Sequence, residues 1–305
     1  MIDVLQLVSL RPEIQTQLEA RYRVHPKADL DKVAGLVRAC VTNGHSGPPP
    51  EVIDRLTKLE IIASASVGYD GIPVEYARSK AIPVTNTPDV LNDDVADLAI
   101  GLMIMTARRL VASDRYVRAG KWPLGGEYPL AQKASGKRVG FLGMGRIGKE
   151  IAKRAEAMNS QIAYHSRRPV PDVPYKHYPS LVELAKDSDF LVVIIPSTPQ
   201  TQKIVDKDVI EALGPTGILV NVARGAVVDE DALVAALKSG ALGGAGLDVF
   251  AKEPQVPADL FAMDNVVLQP HVGSATRETR RAMSQLVLDN LDAHFAGKPL
   301  LTEIK

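Results

Sequence analysis

Cysteine is almost absent: the chain has 305 residues and one thiol, Cys40. A single cysteine excludes an intrachain disulfide and a multi-cysteine metal centre, and is the usage expected of a reducing compartment. Aromatic residues are scarce, at 5%, with one tryptophan, Trp122. Charge of one sign is not in excess either, because 36 Lys and Arg balance 36 Asp and Glu. That balance argues against a general nucleic-acid binder. Long apolar runs are missing as well. The longest nearly unbroken one, Leu98 to Ala107, is about half of the ~20 residues needed to span a bilayer. The start, Met1-Ile2-Asp3, lacks a basic segment followed by an apolar stretch, so no secretory leader is expected and a cytoplasmic location is.

Apolar residues, at 46%, are present in plenty, and a chain of this length implies about two domains. Short runs that read as strands, Val4–Val8, Arg38–Thr42, Ile61–Ser66 and Ile82–Asn86, alternate with helical stretches, as crossover connections in a parallel sheet would require. One long helix is expected from Asn92 to about Arg118, apolar nearly all round in its middle, with Gly120 just past its end. A second series of strands follows: Arg138–Leu142, Gln161–His165, Phe190–Ile195, Gly217–Val222, Ala245–Val249 and Val266–Gln269. Helices are expected over Arg146–Met158, Glu230–Lys238 and about Thr276–Ala296. The fold class is α/β, with two doubly wound parallel-sheet (Rossmann-like) domains and a cleft between them. The two domains are expected to be residues 1–93 plus 274–305, a discontinuous unit, and residues 94–273.

The strongest local motif is Gly143-Met144-Gly145-Arg146-Ile147-Gly148, set between an apolar strand and an amphipathic helix. In that context Gly143 permits the tight turn, Gly145 lets the backbone approach a pyrophosphate, and Gly148 lets helix and strand pack closely. The helix N-terminus then offers free N–H groups and a positive dipole end to the phosphates. About 20 residues on, an NAD site normally offers a carboxylate to the ribose 2′-hydroxyl. Here the second strand ends in His165-Ser166-Arg167-Arg168. Two guanidinium groups and a hydroxyl suit a 2′-phosphate, so NADP(H) is the expected cofactor.

Three later strands end in residues able to hold or protonate a substrate. These are Arg224 in Asn221–Gly225, Asp248 and Glu253 in Leu247–Pro254, and His271 in Pro270–Ser274. Ligands of open parallel sheets lie beyond the carboxyl ends of the strands, so these segments can converge. No H-E-x-x-H or comparable spacing is present, so no metal is expected, and the lack of G-x-S-x-G argues against a serine hydrolase.

Together, Gly143–Gly148, Asn221–Gly225, Leu247–Pro254 and Pro270–Ser274 resemble the D-isomer-specific 2-hydroxyacid dehydrogenase family. The likeness extends over essentially the whole chain and looks nearest to glyoxylate/hydroxypyruvate reductases and hydroxyphenylpyruvate reductases. It implies reduction of a small 2-oxo acid, with Arg224 binding the substrate carboxylate and His271 protonating the carbonyl oxygen. Glu253 would orient the His271 ring, a carboxylate beside an imidazole stabilising imidazolium. Asp248 would receive the nicotinamide amide, with Val222 and Ala223 lining the ring and Pro196 and Thr201 lying beside the adenosine and pyrophosphate. Backbone N–H groups of Val67 and Gly68 would grip the substrate carboxylate. Trp122, in a loop just past the long helix, would either reach the partner subunit's pocket in a homodimer or anchor local packing. The family also contains non-catalytic dinucleotide sensors, which leaves a binding protein as the alternative from another class.

Overall fold

The strand–helix alternation builds two all-parallel sheets. The computed structural model describes residues 1–125 and 127–305. It divides into one unit of Met1–Leu91 with Ser274–Lys305 and another of Asn92–Gly273. The first unit contains β1 (Ile2–Gln6), β2 (Tyr22–Pro26), β3 (Val37–Thr42), β4 (Ile61–Ser64) and β5 (Val84–Thr85), in the order β2-β1-β3-β4-β5. Every pairing is parallel. Apolar side chains leave both faces, as expected of a sheet covered on two sides. One core gathers Leu5, Cys40, Ile62 and Val84; the other gathers Val4, Val41, Ile61 and the stripe Val287, Leu288, Leu291 of the helix Arg277–Phe295. That helix is capped by the Thr276 hydroxyl, which accepts the Thr279 N–H. Burial pushes the Cys40 thiol up to about 12, so it is a packing residue and not a nucleophile.

The second unit contains β6 (Arg138–Leu142), β7 (Gln161–His165), β8 (Lys176–His177), β9 (Phe190–Val193), β10 (Ile218–Asn221), β11 (Gly244–Leu247) and β12 (Val266–Leu268). The order is β12-β11-β10-β9-β6-β7-β8, again parallel throughout. Strand order reverses between β6 and β9, and ligands of such sheets bind at that switch point. The helix Asn92–Ala107 packs on β10 and β11 through Ala99, Leu102 and Met103, all fully buried. It lies close because β11 is glycine-rich: a Cβ on Gly246 would sit 2.9 Å from the Leu102 Cβ. Burying each such Leu or Met contributes roughly 1.5–3 kcal/mol.

Two expectations need correction here. The single helix from Asn92 to about Arg118 is two helices, Asn92–Ala107 and Leu110–Arg118, with Arg109 left-handed at φ 50° between them. A continuing helix would offer the Ala107 carbonyl to Val111, but the Gln132 N–H takes it instead, at 3.0 Å. Trp122, expected in a loop, begins a short helical turn, Trp122–Gly125. Two edge strands, β2 and β8, were not expected at all.

Candidate active site

At the switch point the glycine turn has the shape its sequence implies. Gly143 is at φ +101°, and a Cβ there would lie 2.5 Å from the Ile194 carbonyl oxygen. A Cβ on Gly148 would approach the Gly143 carbonyl oxygen to 2.8 Å, so strand and helix touch through backbone. Gly145 differs: its Cβ would meet no heavy atom within 4 Å, and any side chain would fill the cradle above the N-terminus of the helix Arg146–Ala157. The N–H groups of Ile147 and Gly148 have no acceptor among the described residues. An open cradle lined by unspent donors fits a dinucleotide pyrophosphate.

The turn after β7 adjoins this cradle, since the Gly143 N–H donates to the His165 carbonyl at 3.0 Å. Arg167 and Arg168 are exposed. The Ser166 hydroxyl donates to the Arg168 carbonyl at 2.6 Å, so its proton orders the turn. On the other side of the switch point, Thr201 closes its own loop: its hydroxyl donates to the Pro196 carbonyl at 2.8 Å and accepts the Thr198 N–H at 2.7 Å.

The loops after β10, β11 and β12 converge by direct backbone contact. Asn221, 1% exposed, accepts the Ala223 N–H and donates to the Arg224 carbonyl, both at 3.0 Å, which shapes the turn carrying Arg224. Val222 and Ala223 are buried beside it. Gly225 then packs on the next loop so closely that a Cβ would lie 1.9 Å from the Phe250 carbonyl carbon. In that loop Glu253 is held at both oxygens: Oε1 accepts the Phe250 N–H at 3.1 Å, and Oε2 meets His271 Nδ1 at 2.7 Å. The His271 and Glu253 side chains are 32% and 28% exposed, shielded yet reachable.

His271 is left-handed at φ 56°, uncommon for a residue with a side chain and typical of functional turns. Asp248 enforces it. Its carbonyl accepts the His271 N–H at 2.8 Å, and its carboxylate oxygens accept the N–H groups of Val272 and Gly273 at 2.7 and 2.9 Å. Asp248 is 2% exposed, and burial pushes its carboxyl above the ordinary value while the two N–H donors pull the other way. Sequence reasoning singled out Asp248 for a ligand contact and missed this bracing of the His271 loop. It also missed Asn221, although a polar residue ending a fully apolar strand is a readable cue.

In the first unit, Val67 and Gly68 lie in the loop after β4, and their N–H groups also have no acceptor among the described residues. Gly44 abuts this loop, its Cβ position 2.0 Å from the Gly68 carbonyl oxygen. Asn86 donates to the Val67 carbonyl at 2.8 Å. Asn86 is itself tied to Thr302, whose hydroxyl donates to the Asn86 carbonyl at 2.6 Å, and Thr302 is bonded to the fully buried Asn290.

An α/β unit with an open glycine cradle and a His–carboxylate pair at its strand ends has the parts of a nucleotide-dependent oxidoreductase. Residues 100–273 match the model of the D-isomer specific 2-hydroxyacid dehydrogenase, NAD binding domain. The chain is 50% identical to hydroxyphenylpyruvate reductase of Plectranthus scutellarioides and 51% identical to glyoxylate/hydroxypyruvate reductase A of Arabidopsis thaliana, each over 99% of both chains. It also superposes with TM-score 0.94 on an NADPH-dependent glyoxylate/hydroxypyruvate reductase of Sinorhizobium meliloti solved with NADP and malonate. Identity there is 43%, covering 99% of this chain and 96% of that one. The chain belongs to the D-isomer specific 2-hydroxyacid dehydrogenase family.

Proposed function

We propose that the chain reduces small 2-oxo acids with NADPH, hydroxypyruvate to a D-2-hydroxy acid and glyoxylate to its achiral 2-hydroxy acid. The observation that carries this reading is the 2.7 Å His271–Glu253 pair in the same unit as the glycine cradle. A carboxylate can only accept, so His271 Nδ1 carries a proton and Nε2 is the nitrogen that serves the substrate oxygen. Glu253 keeps that tautomer through the cycle: Nε2 gives its proton to the carbonyl oxygen, and the neutral ring that remains is still bonded through Nδ1–H. Arg224 receives the substrate carboxylate, and its forked donors fix which face of the oxo group is presented. Val67 and Gly68 supply further N–H donors to the same carboxylate. Bound at Gly143–Gly148, NADPH supplies the hydride. Arg167 and Arg168 take its 2′-phosphate, Asp248 its carboxamide, and Val222 and Ala223 its ring, with Arg146, Ile147, Pro196 and Thr201 along the pyrophosphate and adenosine.

The assembly is a homodimer in the cytoplasm. Supporting it, Trp122, Leu124 and Leu130 are 64%, 88% and 95% exposed within one short segment, apolar surface of the kind a second copy covers. No described helix is long and apolar enough to cross a membrane. Light scattering on the purified protein checks the mass, and a monomer that Trp122→Asp leaves unchanged would refute the dimer.

The test of function is NADPH and NADH oxidation followed separately with glyoxylate, hydroxypyruvate, pyruvate and 4-hydroxyphenylpyruvate. Fast NADPH oxidation with the two small acids is expected. A second reading, reduction of 4-hydroxyphenylpyruvate, draws on the Plectranthus relative and is separated by the substrate ranking. Tight NADPH binding with no turnover on any of the acids would sink both in favour of a dinucleotide sensor.

A further inference from the structure

The turn assigned to the 2′-phosphate is stapled at both ends by residues without a role in the reading above. After the turn the chain returns as β8 and sets His177 beside β7. His177 Nε2 lies 3.0 Å from the Ser166 carbonyl oxygen. A carbonyl cannot donate, so Nε2–H is the donor. At the far end of the turn, the Val170 N–H donates to the hydroxyl of Tyr164, which is 2% exposed. The Ser166 hydroxyl closes the middle onto the Arg168 carbonyl.

The staple has its own support. The His177 ring lies nearly parallel to that of His165, 6.4 Å between centroids and 11° between planes, and 5.2 Å from the Tyr164 ring. His165 Nδ1–H donates to the Tyr178 carbonyl at 2.8 Å, and the Tyr178 N–H to the Tyr164 carbonyl at 2.8 Å, which binds β8 to β7. Arg167 and Arg168 therefore project from a turn whose two ends are already fixed.

We infer that His177 is a positioning residue for cofactor selection: it holds the Ser166 carbonyl so that Arg167 and Arg168 meet the ribose 2′-phosphate without first being ordered. This deepens the NADPH reading and rests on it. An unpinned turn would order only on binding, and that cost falls on ligands that carry the 2′-phosphate. A dinucleotide lacking it has no partner in the turn and is indifferent.

The experiment is calorimetric titration of the intact protein with 2′,5′-ADP and with 5′-AMP, which differ only in the 2′-phosphate. His177→Phe keeps the ring stack and loses the donor, whereas His177→Gln restores an N–H near the place of Nε2. His177→Phe is expected to weaken 2′,5′-ADP about tenfold and 5′-AMP less than twofold, with His177→Gln recovering most of the loss. His177→Asn, too short to reach, carries the same expectation as the Phe variant should that one not fold. Unchanged 2′,5′-ADP binding, or equal loss of both ligands, would overturn the inference. A wild-type protein that does not distinguish the two ligands would overturn the NADPH reading together with it.

Discussion

The two units solve the same problem, fixing the loops beyond parallel strands, with different chemistry. The five-stranded unit does it with neutral amides. Asn43 accepts the N–H groups of His45 and Ser46, Asn86 holds Val67, and Asn290 ties down the segment that holds Asn86. The seven-stranded unit keeps an amide, Asn221, for the turn that carries Arg224 and uses carboxylates around His271: Asp248 braces the His271 loop, Glu253 the His271 ring, and Glu230 the Ala251 N–H. A neutral brace leaves two main-chain donors beside Val67 with no negative charge in that lock, which suits an anionic ligand. An anionic brace favours a protonated ring, as the proposed role of His271 requires. On the proposed function the choice of brace follows what each loop would handle, an anion at Val67 and Arg224 and a proton at His271.

The most damaging way to break the carboxylate side is to remove what it holds. His271→Ala is expected to lower kcat about 10²–10⁴-fold and leave NADPH binding intact, as measured by turnover and fluorescence titration. Full turnover by this variant at neutral pH would end the acid assignment.

Asp248→Asn comes next, since an amide cannot accept at both positions and one of the Val272 and Gly273 N–H groups loses its acceptor. Thermal unfolding should report a loss of about 1–3 kcal/mol, with kcat lower about tenfold as His271 drifts. The reciprocal experiment puts a carboxylate where the amide stood. Asn86→Asp cannot donate to the Val67 carbonyl and adds negative charge near the two free donors. KM for the oxo acid should rise about tenfold, with kcat changing much less. An unchanged KM would mean that the neutrality of this brace does not matter.

The smallest effect is on acid stability. Glu60 and Asp187 lie below the ordinary carboxylate value, Glu60 chiefly through its bond from Arg38 and Asp187 chiefly through Tyr178. Their stabilisation is complete above the unfolded value of about 4 and fades as pH falls through the folded value. Asp248, raised by burial, has the opposite sign: its contribution is present in acid and is lost as pH climbs through its folded value. Glu60→Gln should therefore flatten the fall in Tm below about pH 4, as scanning calorimetry over pH 3–6 would show.

Much of this was readable in the residues. Apolar strands such as Val37–Thr42 and Phe190–Val193 announce themselves because both faces are buried. The edge strands did not, because Tyr22–Pro26 mixes charge with a terminal proline and Lys176–His177 is too short for any pattern. The break at Arg109 was hidden too, since its cause is the Gln132 N–H, donated from well along the chain. At the site, chemistry-bearing side chains stood out by type and position. What braces them did not, because Asn221, Asp248 and His177 act on backbone groups that a sequence does not display.

Gly225 carries a consequence for anyone altering this protein. Its backbone lies against Phe250 with no room for a single carbon, so the segments bearing Arg224 and Glu253 share one wall. Grafting a relative's version of either segment alone would bring two surfaces of separate origin together at a place with no slack. They are best exchanged as one cassette, and libraries meant to change the accepted acid should vary them together and leave position 225 alone.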